Sequence, residues 1–399
     1  MLVRTLNLYR NAYSGLTRRM WLLALVMLIN RCGTMVLPFM TLYCNHRGYT
    51  ATQGGLAVAI YGIGAVVGAF FGGKLSDKYG FYFMQMSALF GGGIMFILLG
   101  QMDSYLSICI SIFFTSMLNE SFRPANATAI AHYSTNENRT QSFSLVRLAI
   151  NMGWGVGSAL AGILASISYH LLFWVDGLTN IAAGILLLLI LPRVTVAQQQ
   201  KSHHTKPAVV TTPFQDRTFM IFIGFMLLFA LCFFQLFTTV PLYFKEGLHL
   251  NEFWIGVVMS MNGILIALFE MVIVFKLEGR RPYLKLMTYG TLLIAASYFL
   301  LNLPLANGFI IALIATLVIT AGEIIGMPFM NSYYIARSTP DNRGQYAALF
   351  TMAWSFAQVI GSLSGTQIAH NLGFTYLWWF IGGICVITAL GFNYLQKKS

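Results

Sequence analysis

The sequence predicts an all-α membrane protein of twelve transmembrane helices, arranged as two pseudo-symmetric six-helix bundles. Three observations carry that prediction: a composition too poor in charge to face water, an alternation of Lys and Arg between apolar runs, and an internal repeat. Of 399 residues, 57% are apolar and only 9% are charged, with a mean hydropathy of +0.70. A soluble domain carries roughly 25% charged residues, so this chain cannot cover itself with polar surface. Its 37 glycines and 15% aromatic content suit a bilayer, where small residues let helices approach and rings gather at the interfaces.

A crossing takes about twenty mainly apolar residues. Such runs lie at 20–43, 53–74, 82–101, 105–131, 141–168 and 171–192, then at 218–243, 253–275, 283–303, 308–335, 344–369 and 373–394. Short connections between them make antiparallel neighbours. With the N-terminus inside, the cytoplasmic segments hold Arg4, Arg10, Arg18, Arg19, Lys74, Lys78, Arg139, Arg193, Lys201, Lys206 and Arg217. Lys276, Arg280, Arg281, Lys285, Arg337, Arg343, Lys397 and Lys398 follow on the same side. Of the 24 Lys and Arg, only Arg47 and Lys245 fall opposite, and only Arg31, Arg123 and Arg147 lie inside spans. That asymmetry makes the +12 charge a topology signal and argues against a nucleic-acid footprint.

The expected organisation is a cytoplasmic segment 1–19, a first bundle 20–192, a cytoplasmic linker 193–217 and a second bundle 218–395. The first span, which lacks a small-residue cleavage site, reads as uncleaved. The Gln, Ser, Thr and Pro of 195–216 cannot build a core, so His203 and His204 read as solvated linker residues rather than metal ligands. Cys32, Cys44, Cys109, Cys232 and Cys385 are scattered singly and in odd number, without metal spacing or a disulfide framework.

The repeat appears when the chain is shifted by 204 positions. Pro124 then falls on Pro328, Ser134 on Ser338, Asn138 on Asn342, Arg139 on Arg343, Gln141 on Gln345, Gly157 on Gly361 and Ser158 on Ser362. Two similar bundles flanking a polar cavity can rock against each other and expose that cavity to one side at a time.

Gly73-Lys74-Leu75-Ser76-Asp77-Lys78-Tyr79-Gly80 resembles the G-x-L-x-D-x-x-G signature of the major facilitator superfamily. The resemblance places it in the cytoplasmic loop between spans two and three, with Gly73, Asp77 and Gly80 as a gating motif. The usual basic continuation is replaced by Phe81-Tyr82-Phe83, and Lys276-Leu277-Glu278-Gly279-Arg280-Arg281 forms a degenerate copy in the second half. Gly153, Gly157 and Gly162 resemble the family's glycine-rich antiporter motif, with Ser158 where proline is usual. The stretch from Leu118 to Ser158 and the string "NRCGTMVLPFMTLY" look like its drug and metabolite proton antiporters, especially bacterial multidrug and dipeptide exporters. Phe113 or Phe114 stands where those proteins place a fourth-span arginine.

Ionisable groups inside a bilayer are costly and are functional candidates by default. Glu323, Glu120, Asp176 and Glu270 are the proton-coupling candidates, because a carboxylate in a low-dielectric cavity can exchange a proton near neutral pH. Glu120 and Arg123 stand three apart on one helix face and can neutralise each other, whereas Glu323 has no arginine on its own helix. Arg31, Arg123 and Arg147 gather in the first half and suit an anionic substrate group. Asn30, Asn119, Asn151, Trp154, Gln235, Asn262, Asn331, Tyr333 and Trp354 complete the candidate cavity lining. Several of these polar side chains, and the charges too, can equally serve as inter-helix packing contacts.

No phosphate-binding loop, zinc spacing or nucleophile elbow is present in the sequence, so no enzyme activity and no cofactor are expected. The resulting expectation is a monomeric secondary transporter in the bacterial inner membrane, both termini cytoplasmic, exporting a small organic solute in exchange for protons. Its partners are then that solute, protons and the lipid bilayer. Two alternatives stand beside it: proton-coupled uptake of a peptide, siderophore or other metabolite, and a non-transporting receptor or scaffold.

Overall fold

The computed structural model describes residues 10–194, 212–303 and 307–398. The segment 1–9 and residues 195–211, with His203 and His204, lie outside the described residues. In the first half the helices are α1 (Arg18–Cys32), α2 (Val36–His46), α3 (Ala51–Tyr79), α4 (Phe81–Leu99), α5 (Tyr105–Tyr133), α6 (Arg139–Ile167) and α7 (Tyr169–Ile190). The second half holds α8 (Arg217–Phe233), α9 (Thr239–Glu246), α10 (Glu252–Leu277), α11 (Tyr283–Leu300), α12 (Gly308–Arg337), α13 (Arg343–Leu372) and α14 (Phe374–Lys398). Helix starts follow local chemistry: Thr17, Ser104 and Asn251 cap α1, α5 and α10, and Thr50 with Gln53 closes a capping box on α3.

Among the described residues, nine helical stretches are long and apolar enough to cross a membrane. The other three predicted crossings are α1–α2, α6 and α11. The first is broken into pieces of 15 and 11 residues, α6 carries many polar side chains, and the 18 residues of α11 include Lys285 and several Tyr and Thr side chains. Large apolar side chains such as Leu106, Ile167 and Leu189 stand exposed, as a lipid-facing surface requires.

Packing obeys the repeat. In the first half α1 lies on α6 and α7, α3 on α5, and α4 on α5 and α7; in the second, α8 lies on α13 and α14, α10 on α12, and α11 on α12 and α14. The two halves meet where α3 touches α13 and α6 touches α10 and α12. Small residues make that seam close: a Cβ on Gly344 would stand 2.5 Å from the Gly73 carbonyl oxygen.

One expectation needs correction. Gly73 and Asp77 are not in a loop, because α3 runs on to Tyr79 and only Gly80, at φ 90°, separates it from α4. Lys74, Asp77 and Lys78 end the apolar run but not the helix, whose backbone hydrogen bonds tolerate polar side chains once they reach the membrane boundary.

Candidate functional site

The seam between the halves carries an ionic bridge deep in the bilayer. Arg147, two turns into α6, donates through Nη1 to Glu270 of α10 at 2.6 Å and through Nη2 to Glu323 of α12 at 2.9 Å. The two carboxylates are 4% and 1% exposed, and Arg147 is 20% exposed. Asn262 of α10 donates to Glu323 Oε1 and to Thr320 Oγ1, each at 2.9 Å. Two carboxylates thus share one guanidinium supplied by the opposite bundle, and the cluster is one positive charge short. Glu323 finds no arginine on its own helix within reach, and Arg147 reaches it instead from across the seam.

Nearer the Lys- and Arg-rich end, two carboxylates form matching latches. Asp77 accepts from the backbone N–H groups of Gly344 at 2.7 Å and Gln345 at 3.0 Å, the first turn of α13. Glu278, just past α10, accepts from the backbone N–H of Thr140 in the first turn of α6 at 2.8 Å. Each carboxylate therefore satisfies open donors, and meets the positive dipole end, of a helix in the other half. The turns before those helices match as well: Asn138 accepts from the Thr135 N–H and Asn342 from the Thr339 N–H, both at 2.8 Å. Thr140 and Ser332 hydroxyls close the seam between them at 2.6 Å. Burial pushes the Glu278 carboxyl above its ordinary value, against the pull of the Thr140 and Gln141 hydrogen bonds and of Arg139. At the same end, Arg337 grips Asp216 through two nitrogens at 2.8 and 3.0 Å, and Tyr346 donates to Asp216 at 3.1 Å. Burial alone would raise the Asp216 carboxyl, but Arg337, the Phe219 N–H and Tyr346 hold it below its ordinary value.

The seam is closed at this basic end and polar as far as Arg147. One and two turns farther along the same face of α6, Asn151 and Trp154 are exposed.

The other predicted residues divide between the first bundle's interior and ordinary structure. Glu120 and Arg123 pair at 2.7 Å, Asn119 reaches Tyr61 at 3.5 Å, and Arg31 lies buried in the same neighbourhood. The expected cluster of three arginines is therefore split, since Arg147 turns to the opposite half. Asp176 has a structural employment: it accepts from Met35 N–H at 3.0 Å and Val36 N–H at 2.8 Å, satisfying the start of α2 where the first span breaks. Asn30 joins the same staple through Asn180, which donates to the Asp176 carbonyl. Gln235 does the matching work at the second half's break, donating to the Leu231 and Gly361 carbonyls and accepting from Thr239.

Trp354 packs against Phe229, Phe233 and Phe234, and Tyr333 lies buried against Phe222. Tyr333 also borders a cavity of about 260 Å³ at the basic end, with Tyr283 and Arg337. Asn331 is half-buried on α12. Gly153 and Gly157 explain the glycine motif: added Cβ atoms would stand 2.7 Å from Arg31 Cβ and 2.9 Å from the Cys32 carbonyl oxygen. They let α6 lie directly on α1, and Gly162 continues along α6. Sequence reading missed Thr140, Ser332, Asp216, Arg337 and Asn180, and left Glu278 as part of a degenerate copy. The shift of 204 places Asp77 on Arg281 and so does not find Glu278; the match shows only in the contacts, which fall on the equivalent positions Thr140 and Gly344.

Comparison with known proteins agrees with this fold. The Major Facilitator Superfamily model matches residues 22–334. A "Na(+), Li(+), K(+)/H(+) antiporter" of Planococcus maritimus is 24% identical, with 92% of each chain covered. The "Quinolone resistance protein NorA" of Staphylococcus aureus is 21% identical over 82% of this chain and 84% of its own. A bacterial homologue of the iron transporter ferroportin, solved in an outward-facing state, superposes with a TM-score of 0.78 at 15% identity, covering 96% of this chain and all of the other, and shares the fold.

Proposed function

The chain belongs to the Major Facilitator Superfamily, a multi-pass membrane transporter rather than an enzyme, and we propose that within it the chain is a proton-coupled antiporter exporting a small organic solute. The observation that carries this reading is the Arg147 bridge to Glu270 and Glu323. It joins the two bundles at the place where alternating access must break and remake contacts. Because two carboxylates face one guanidinium, a proton supplies the missing charge, and its arrival or loss changes how strongly the halves are tied. Asp77 and Glu278 hold the cytoplasmic end shut while the cavity between the bundles faces outward; their release opens it inward. The glycine-rich α6 and the antiporter and resistance-protein relatives support exchange and export.

In this reading the basic end is cytoplasmic, both termini lie on the cytoplasmic side of the inner membrane, and the halves 20–192 and 218–395 move as units about the linker 193–217. The monomer suffices, since both halves of the site come from one chain. A second reading, exchange of an alkali cation for protons, is favoured by the buried carboxylate pair together with the similarity to the Planococcus maritimus antiporter.

Comparing extracellular metabolites of deletion and wild-type cells identifies the solute and its direction. In proteoliposomes an imposed pH gradient then drives that solute, and Glu323→Gln abolishes the drive. Sodium- or potassium-driven proton movement with no solute requirement would favour the second reading instead.

A further inference from the structure

Of the three arginines inside the bilayer, two are spent: Arg147 on Glu270 and Glu323, and Arg123 on Glu120. Arg31 is not. It closes α1 just before the break and is 8% exposed, its Nε has no partner, and its guanidinium makes no hydrogen bond or ion pair among the described residues. Tyr61, Glu120 and Arg123 surround it. Two guanidinium groups face one carboxylate there, so this interior is one negative charge short. A buried charge left unpaired is costly, and one that persists in a bilayer marks a ligand or ion path.

The second bundle provides an internal control. Under the repeat Arg31 falls on Gln235 and Gly157 on Gly361. Gly157 packs on the Arg31 and Cys32 carbonyls as Gly361 packs on Leu231. At that place the wholly buried Gln235 is satisfied by the Leu231 carbonyl at 3.0 Å, the Gly361 carbonyl at 2.8 Å and the Thr239 hydroxyl at 2.8 Å. Holding the broken span therefore takes a neutral amide, not a cation. In the first bundle Asp176, Asn180 and Asn30 already hold the break, which leaves the Arg31 charge without structural employment.

We propose that Arg31, backed by Arg123, forms an anion subsite in the first bundle that receives the carboxylate of a small organic acid. The planar guanidinium fork matches a carboxylate. Glu120 neutralises Arg123 until the acid arrives. Trp154 follows in sequence the Gly153 that packs on Arg31, and it is 45% exposed. Only the statement that this acid is cargo rests on the transport reading; the binding does not.

The test uses purified full-length protein in detergent and two isosteric probes, benzoate and uncharged benzamide, measured by equilibrium dialysis. Wild type should bind benzoate at least tenfold more tightly than benzamide. Arg31→Gln should weaken benzoate by about 10- to 100-fold, the worth of one charge-assisted hydrogen bond, and leave benzamide unchanged. Arg31→Lys keeps the charge without the fork and should weaken benzoate several-fold, which decides the matter if the glutamine variant does not fold. Equal or absent binding of both probes by wild type overturns the proposal, as does unchanged benzoate affinity in Arg31→Lys and Arg31→Gln. Arg31-dependent benzoate binding without any pH-driven solute movement would sink the transport reading alone.

Discussion

Replacing Arg147 by glutamine should be among the most damaging single changes in the chain, and the structure says how damaging. Its guanidinium sits 2.6 Å from Glu270 and 2.9 Å from Glu323, both almost wholly buried. Glutamine cannot supply the charge, so two carboxylates are left facing each other in a low-dielectric seam. Removing one partner of a buried pair costs about 3–5 kcal/mol, a large part of the roughly 5–15 kcal/mol by which folded domains are stable. We expect Arg147→Gln to lose that much near neutral pH. The triple variant with Glu270→Gln and Glu323→Gln removes every charge and should return to within about 1–2 kcal/mol of wild type, because neutral replacement of a buried ionic group costs little. The assay is thermal inactivation of purified protein in one detergent, compared as half-lives, since large proteins often unfold irreversibly. An Arg147→Gln protein as durable as wild type would refute the argument, and so would a triple variant no better than the single one.

Other expectations follow from the same geometry. Asp77→Ala and Glu278→Ala, which remove the acceptor oxygens, should loosen the basic end, so that a cysteine replacing the wholly buried Ser332 in a background without native cysteines reacts about tenfold faster with a membrane-impermeant maleimide. Glu278 also gives the latch a pH dependence. Its carboxyl is raised by burial in the latched form, which therefore holds the proton more tightly than the open form does. Latching is favoured at acid pH and lost as pH climbs through the raised range; maleimide labelling should increase with pH and do so less in Glu278→Gln. Asp216 has the opposite sign, since Arg337 holds it low: its stabilisation is present above the ordinary aspartate range and disappears as pH falls below it. Asp216→Asn should cost about 1–3 kcal/mol near neutral pH and flatten the acid limb of a thermal-stability profile. Gly153→Ala should cost about 1–3 kcal/mol of thermal stability, because its Cβ would stand 2.7 Å from Arg31 Cβ and 2.8 Å from the Leu28 carbonyl oxygen.

Fold class was legible because the bilayer writes itself into composition: apolar runs of fixed length, basic residues on one side, and a repeat preserved in Pro124 and Pro328. Boundaries were harder where polar residues extend a helix, as Lys74, Asp77 and Lys78 do. Hydropathy also cannot see a break inside an apolar run, so the pauses between Cys32 and Val36 and at Phe234–Phe237 went unnoticed. Charge partners were the least legible. Arg147 and Glu323 are 176 residues apart and share no local pattern, so their meeting depends on how one bundle lies on the other. Asp176 shows the converse: the sequence marks it as an unusual intramembrane acid, and only the coordinates of Met35 and Val36 reveal that a helix end already occupies it.

The claim that a proton exchanges on the Arg147 bridge to drive solute across the membrane is met most directly by counterflow. Proteoliposomes acidic inside, with the membrane potential clamped at zero, are given the solute that distinguishes deletion from wild-type cells. With one proton exchanged per solute and no potential, each pH unit should concentrate it inside about tenfold. Wild-type protein should reach that gradient and lose it to a protonophore, while Glu323→Gln only equilibrates. A Glu323→Gln protein that concentrates solute as wild type does would contradict the account.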